Sequence, residues 1–370
     1  MKFTVLLLVI IFISCSQSKD NEVTTKINIT ENKDVSEDVF IYKFIPLETN
    51  NDCLFGGIGT LQIVDDKIYI IDSKDEKLLV FDISGKFITQ VGKRGSGPGE
   101  YVSPCSFHVD TVKRVLTIGD NNGLKLLHYN LDTYKYLFSQ KTPFFSECAW
   151  LPDGNIAWIF PLGYKNATNK ETYYIKITDS NLKEINLLYA SFYSPEYLAI
   201  CGRDFYTLND MCYVNMAFSP IIYKVESDKL TPIYKIDLGS QKFASLDWLQ
   251  QNAAEDYTSA LIASDYITTH NVKETNDWIS VCYYMKRGIP FISFYNKKNA
   301  TSYKFTVSEF INVTGLTGMG LIKGTYDNCF IIPLFADALK RHNSKIKELQ
   351  PIIEKIKEDD NIVLCLFSIK

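Results

Sequence analysis

The chain has 370 residues, 39 basic and 43 acidic, for a formal net charge of −4. With 46% hydrophobic and 14% aromatic residues it is too apolar to remain disordered, and it has too few alanines for a helical bundle. The slight negative charge argues against a nucleic-acid partner, which calls for a strongly basic face.

Met1-Lys2 gives a positive start, and Phe3 to Ile13 is apolar except for Thr4. That run is about half of the roughly 20 residues that a spanning helix needs, so residues 1–14 read as a signal peptide. Phe12-Ile13-Ser14-Cys15 follows. It resembles a lipobox, with Phe12 in the place usually held by Leu. The resemblance implies diacylation of Cys15 and a bacterial outer-membrane lipoprotein held by its acyl chains. The alternative is an ordinary cleaved signal peptide with an incidental cysteine. Lys19-Asp20 and Glu22 are similar to the short acidic export signal of surface lipoproteins in Bacteroides-type bacteria. Residues 15–38 are polar and unpatterned and read as a lipid-anchored flexible linker. Residues 39–370 read as one domain.

From Leu61 the chain alternates short β-rich runs with turns. Gln62-Ile63-Val64, Lys67 to Ile71, Lys77 to Phe81 and Lys86 to Val91 are separated by Asp65-Asp66, Asp72 to Asp75 and Asp82 to Gly85. Four antiparallel strands in about 40 residues is the pattern of a propeller blade. It recurs over 106–140, 147–189, 204–236, 272–307 and 320–369, so six units fit. Phe40 to Leu47 lies before the first complete unit, and the last unit lacks one strand beside Asn361 to Ile369. The expectation is therefore all-β: a six-bladed β-propeller of four-stranded antiparallel blades, closed by N- and C-terminal strands. Two helical insertions interrupt it, Ser245 to Ala263 and Leu334 to Glu358, with Pro351 breaking or restarting the second. Their apolar stripes suit bracing of the ring better than docking of a partner.

Eight cysteines besides Cys15 show no C-x-x-C spacing. Cys212, Cys282, Cys329 and Cys365 sit in apolar strand-like runs, so mostly free, buried thiols are expected, with one or two disulfides open.

Gly92-Lys93-Arg94-Gly95-Ser96-Gly97-Pro98-Gly99-Glu100-Tyr101 follows the first unit. With the run ending in Asp72, it resembles the six-bladed β-propeller lipoproteins of Bacteroides-type bacteria, which are related in shape to NHL-repeat and TolB-like propellers. The resemblance implies the fold and an envelope location, and no firm activity.

The glycine loop could cradle an anion, but it lacks a Gly-Lys-Ser/Thr ending and joins two strands, so an inter-blade connector is the simpler role. His108, His128, His270 and His342 form no H-E-x-x-H and no close pair, and no Gly-x-Ser-x-Gly elbow is present. No catalytic residue, metal site or cofactor is assigned. Asp72 and Asp120 fall at equivalent places after the second strands of neighbouring units. Turn capping competes there with a carboxylate ring that a metal-dependent hydrolase or lyase could use. Arg94, Glu100, Tyr101, Asp72, Asp120 and Arg203 are the candidates for a ligand site at the channel mouth. Phe144-Phe145, Tyr164, Phe192-Tyr193 and Tyr197 could stack on sugars, or simply pack a sheet. The expected function is non-catalytic binding of an envelope protein or glycan; a purely structural envelope role is a third possibility.

Overall fold

A computed structural model describes residues 25–29, 35–165, 168, 171–190, 205–216, 218–252, 257–285, 288–342 and 344–370. Six antiparallel sheets follow one another around a ring. Blade 1 comprises Ile58–Val64, Lys67–Asp72, Lys77–Asp82 and Phe87–Val91. Blade 2 comprises Pro104–Asp110, Val115–Asp120, Lys125–Asn130 and Tyr136–Lys141. Blade 3 comprises Glu147–Trp150, Ile156–Lys165, Thr172–Thr178 and Glu184–Ala190. Blade 4 comprises Phe205–Leu208, Met211–Asn215, Ile221–Val225 and Leu230–Asp237. Blade 5 comprises Thr269–Glu274, Trp278–Met285, Ile289–Asn296 and Ser302–Thr306. Blade 6 comprises Gly324–Tyr326, Cys329–Leu334, Val363–Ile369 and, as its outer strand, Phe40–Pro46.

The ring closes as the sequence suggests: Phe44 pairs with Cys365 and Ile45 with Leu364 in an antiparallel ladder. The first strands of consecutive blades touch in an unbroken circuit, blade 6 meeting blade 1. Side chains alternate across each strand, so each sheet feeds the two seams that flank it. Six apolar clusters result, one per seam. The seam between blades 5 and 6, where the ends meet, is the most aromatic, with Phe40, Phe294, Phe310, Phe330 and Phe367. Phe367 meets Phe294 edge-to-face at 5.8 Å between centroids, a geometry that adds to area burial.

Three departures from the sequence reading have local causes. Thr25–Asn28, inside the expected linker, forms a fifth strand parallel to the outer strand of blade 4, with Ile27 and Ile29 wholly buried. Val307–Thr314 is a helix directly after the last strand of blade 5; Thr306 and Glu309 close a capping box and Gly315 ends it in the left-handed region at φ 72. In blade 6 the ladder starts at Gly324 rather than Gly320. Gly320 N–H reaches Pro333 O and Lys323 N–H reaches Ile331 O, so four residues face three and the approach is bulged. In the first insertion the described residues are helical over Leu246–Asn252 and Tyr257–Ala263, and 253–256 lie outside the described residues. The second holds Ala336–Arg341, a 3-10 turn at Lys347–Leu349 and Gln350–Lys355, with Pro351 in the first turn of the last. Leu249, Leu261, Leu339 and Leu349 are wholly or almost wholly buried, as bracing helices require.

Seven cysteines lie among the described residues with no disulfide between any two of them, and only Cys329 of these is partly exposed. Cys15 and Cys201 lie outside the described residues.

Candidate ligand-binding face

Blade topology sorts every loop onto one of two faces. The chain enters each blade at its inner strand and alternates direction. Turns between strands 2 and 3 and the outer-to-inner connectors therefore share one face, here the connector face. Turns between strands 1 and 2 and between strands 3 and 4 share the other.

The second face is tight. Asp65-Asp66 (φ 48 and 55), Asn209-Asp210 (φ 50 and 62) and Asp327-Asn328 (φ 47 and 61) make two-residue hairpin turns, where Asn and Asp tolerate the left-handed backbone. Hydrogen bonds lace these turns across seams: Tyr326 Oη donates to Asp66 at 3.0 Å, Asn328 Nδ2 to Asp277 at 3.0 Å and Asn209 Nδ2 to Asn276 at 3.0 Å.

On the connector face, Asp72 and Asp120 are wholly buried. Asp72 accepts from the backbone N–H of Gly56 (3.2 Å), Gly57 (3.1 Å) and Lys74 (3.0 Å). Asp120 accepts from Val102 (2.9 Å), Ser103 (2.8 Å) and Gly123 (2.9 Å). Each carboxylate thus ties the connector entering its own blade to the end of the second strand. Each accepts three backbone amides, and the Lys77 ammonium stands 3.9 Å from Asp72, which suits a structural clamp.

The glycine loop is built around Tyr101. Its hydroxyl donates to Val91 O (3.0 Å) and accepts from Leu78 N–H (3.2 Å), and burial pushes its pKa up to about 12. Gly92 and Gly99 are required by space and by backbone. At φ 65 a Cβ on Gly92 would stand 2.6 Å from Tyr129 Oη, and at φ 70 one on Gly99 would stand 2.8 Å from the Tyr136 Cβ. Glu100 accepts from Gly97 N–H (2.8 Å) and pairs with Lys93 (3.1 Å). The amide first, and the ammonium second, hold its carboxyl below the usual range. Arg94 is exposed and pairs with Glu76 at 3.1 Å. The two charged candidates therefore stand at the surface of the loop while Tyr101 fastens it from beneath. Arg203 lies outside the described residues, as do Phe192, Tyr193 and Tyr197. Phe145 is wholly buried, and its neighbour Phe144 is 48% exposed.

Around the axis, the free edges of the inner strands are bonded by neighbours. Thr60 Oγ1 donates to Cys105 O (3.3 Å), Lys323 Nζ to Ile58 O (3.1 Å), and Phe205 N–H to Glu147 (3.3 Å). Among the described residues no three His, Cys, Asp or Glu side chains gather as metal ligands.

Three features escaped the sequence reading. Leu54, Leu124, Ile262, Ile289 and Phe335 join Phe144 as large apolar side chains more than 40% exposed on the connector face, spread over blades 1, 2, 5 and 6 and the insertion after blade 4. Asn215 ends the second strand of blade 4, as Asp72 and Asp120 end theirs, yet both its carboxamide atoms are buried without a partner among the described residues. His270, in the first strand of blade 5, has a buried Nε2 without a partner among the described residues and meets Phe243 edge-on at 4.8 Å. Burial lowers its pKa to about 4, so its ring is neutral at physiological pH. Aligning second-strand ends, as for Asp72 and Asp120, would have found Asn215; no local pattern marks His270.

Residues 15–333 match DUF5128, a family described as 6-bladed beta-propeller. The chain belongs to this family. Among solved structures it is similar to a Bacteroides fragilis protein described as exported, at 27% identity and a TM-score of 0.87, covering 94% of this chain and 100% of that one. It also shares its fold with a DUF4221 family member from Bacteroides vulgatus, at 12% identity and a TM-score of 0.57, covering 91% of this chain and 98% of that one. No curated protein matches the chain.

Proposed function

We propose that this propeller is an exported lipoprotein, anchored through Cys15 in the outer membrane, that binds a protein or glycan without chemical turnover. NHL- and TolB-like propellers belong to the same reading as relatives in shape. The observation that carries it is the contrast between faces. Tight, cross-bonded hairpins close one; the glycine loop, both insertions and six exposed apolar side chains crowd the other. Exposed apolar groups among polar loops on a rigid frame are what a binding surface offers. The described relative of Bacteroides fragilis supports the exported location. Arg94 and Glu100 supply charged contacts beside this apolar rim.

A glycan array and an envelope pull-down on the mature domain test the binding. Leu124→Ser with Phe144→Ser is expected to abolish whatever is captured, while Val112→Ser, 91% exposed on the opposite face, leaves it intact. Capture insensitive to the first pair contradicts the assignment of the face. Palmitate labelling tests the anchor: label is expected in the parent and absent from Cys15→Ser, and equal label in both overturns it.

A further inference from the structure

The expected linker of residues 15–38 is interrupted. Thr25–Asn28 pairs in parallel with Tyr234–Asp237 on the outer edge of blade 4. Ile29 N–H extends the ladder to Asp237 O at 2.8 Å, and Lys26 pairs with Asp237 at 2.8 Å. Ile27 and Ile29 are wholly buried in the cluster that fills the seam between blades 4 and 5. The chain then passes to blade 6, where Val35 and Val39 pack on the next seam before Phe40 begins the ring-closing strand.

We propose that Thr25–Asn28 is an anchor stop that sets how the ring stands on a lipid surface; this rests on the lipid-anchor reading of Cys15. Ten residue steps separate Cys15 from Thr25 and twenty-five separate it from Phe40. At about 3.4 Å per step the leash reaches about 34 Å with the stop and about 85 Å without it. The attachment is at one rim. The edge of blade 4 is then the part of the ring nearest the bilayer, and blade 1, diametrically opposite, stands farthest out with the glycine loop beside it. A pull from the membrane falls first on the parallel pair, which resists along its length with all its hydrogen bonds together. The ring-closing strand Phe40–Pro46 is shielded from that load.

The test uses the full lipidated chain on vesicles carrying acceptor-labelled lipid. A donor dye is attached at Asp228→Cys, on the outer hairpin of blade 4, or at Ser84→Cys, on that of blade 1; both positions are exposed. Energy transfer is expected to be at least about twofold greater from 228 than from 84, given leash lengths of this order. The double change Ile27→Asp with Ile29→Asp is expected to free the leash and bring the ratio to one. Equal transfer from both sites in the parent, with palmitate incorporated, overturns the stop and leaves the anchor standing. No palmitate incorporation overturns the anchor, and the stop with it. Amide exchange on the unlipidated domain is an independent check. Slow exchange at residues 26–29 supports the stop, and exchange as fast as in an unfolded peptide overturns it.

Discussion

In blades 1 and 2 the second strand ends in an aspartate whose carboxylate gathers three backbone amides, two of them from the connector entering the same blade. In blade 4 the same place holds Asn215, equally buried, with no partner among the described residues for either carboxamide atom. The frame is common to both sectors, but the sealing of the connector face is not. In blades 1 and 2 the carboxylates tie the entering connectors down, although Asn121 Oδ1 and Thr142 Oγ1 beside blade 2 are also buried with no partner among the described residues. The seam between blades 4 and 5 keeps Asn215 and the His270 Nε2 without partners among the described residues, the histidine beside Phe243. A buried polar group without a partner costs stability, so a ring that keeps them spends rigidity unevenly.

That difference can be broken by substitution. The largest effect is expected at Asp120→Ala, which strands three backbone donors. A loss of about 3–5 kcal/mol in a urea titration is expected, and a loss under about 1 kcal/mol would mean that the clamp is ornamental. Next comes pH. Burial lowers the pKa of both His108, stacked flat on Trp150, and His270 to about 4. The unfolded chain, with ordinary histidines near 6.5, binds more protons between about 6.5 and 4. Stability is thus complete above pH 7 and falls as pH drops through that window, by about 2 kcal/mol at pH 5 for His270. His270→Phe should flatten that part of the slope; an unchanged slope would show that the ring is not buried neutral. The smallest effect is expected at Asn215→Leu, where no bond is lost: stability within about 0.5 kcal/mol of the parent or slightly higher. A loss comparable to that of Asp120→Ala would erase the distinction between the two sectors.

Much of the ring was legible because strand-length apolar runs such as Lys77 to Phe81 stop at Asp, Ser or Gly, and these stops are turns in the structure. Ring closure was legible because one unit lacked a strand and Phe40 to Leu47 was spare. The strand at Thr25–Asn28 was not, since four residues in a polar stretch gain strand character only from blade 4 and its seam. The helix at Val307–Thr314 was readable in principle from Thr306 and Glu309, but the preceding strand runs straight into it. The site was legible only in part. The glycine loop and both aspartates fall on the connector face, yet sequence spacing does not say that Asp72, Asp120 and Tyr101 point inward. That depends on which amides the connectors deliver to them.

Ring closure by Phe40–Pro46 bears on everything else, and truncation tests it most directly. A chain beginning at residue 39 should unfold in one cooperative thermal transition, because blade 6 keeps all four strands. A chain beginning at residue 47 should lose that transition, since the outer edge of Val363–Ile369 and the aromatic seam beside it would lie open. Cooperative unfolding of the shorter chain at the same temperature would contradict the closed ring.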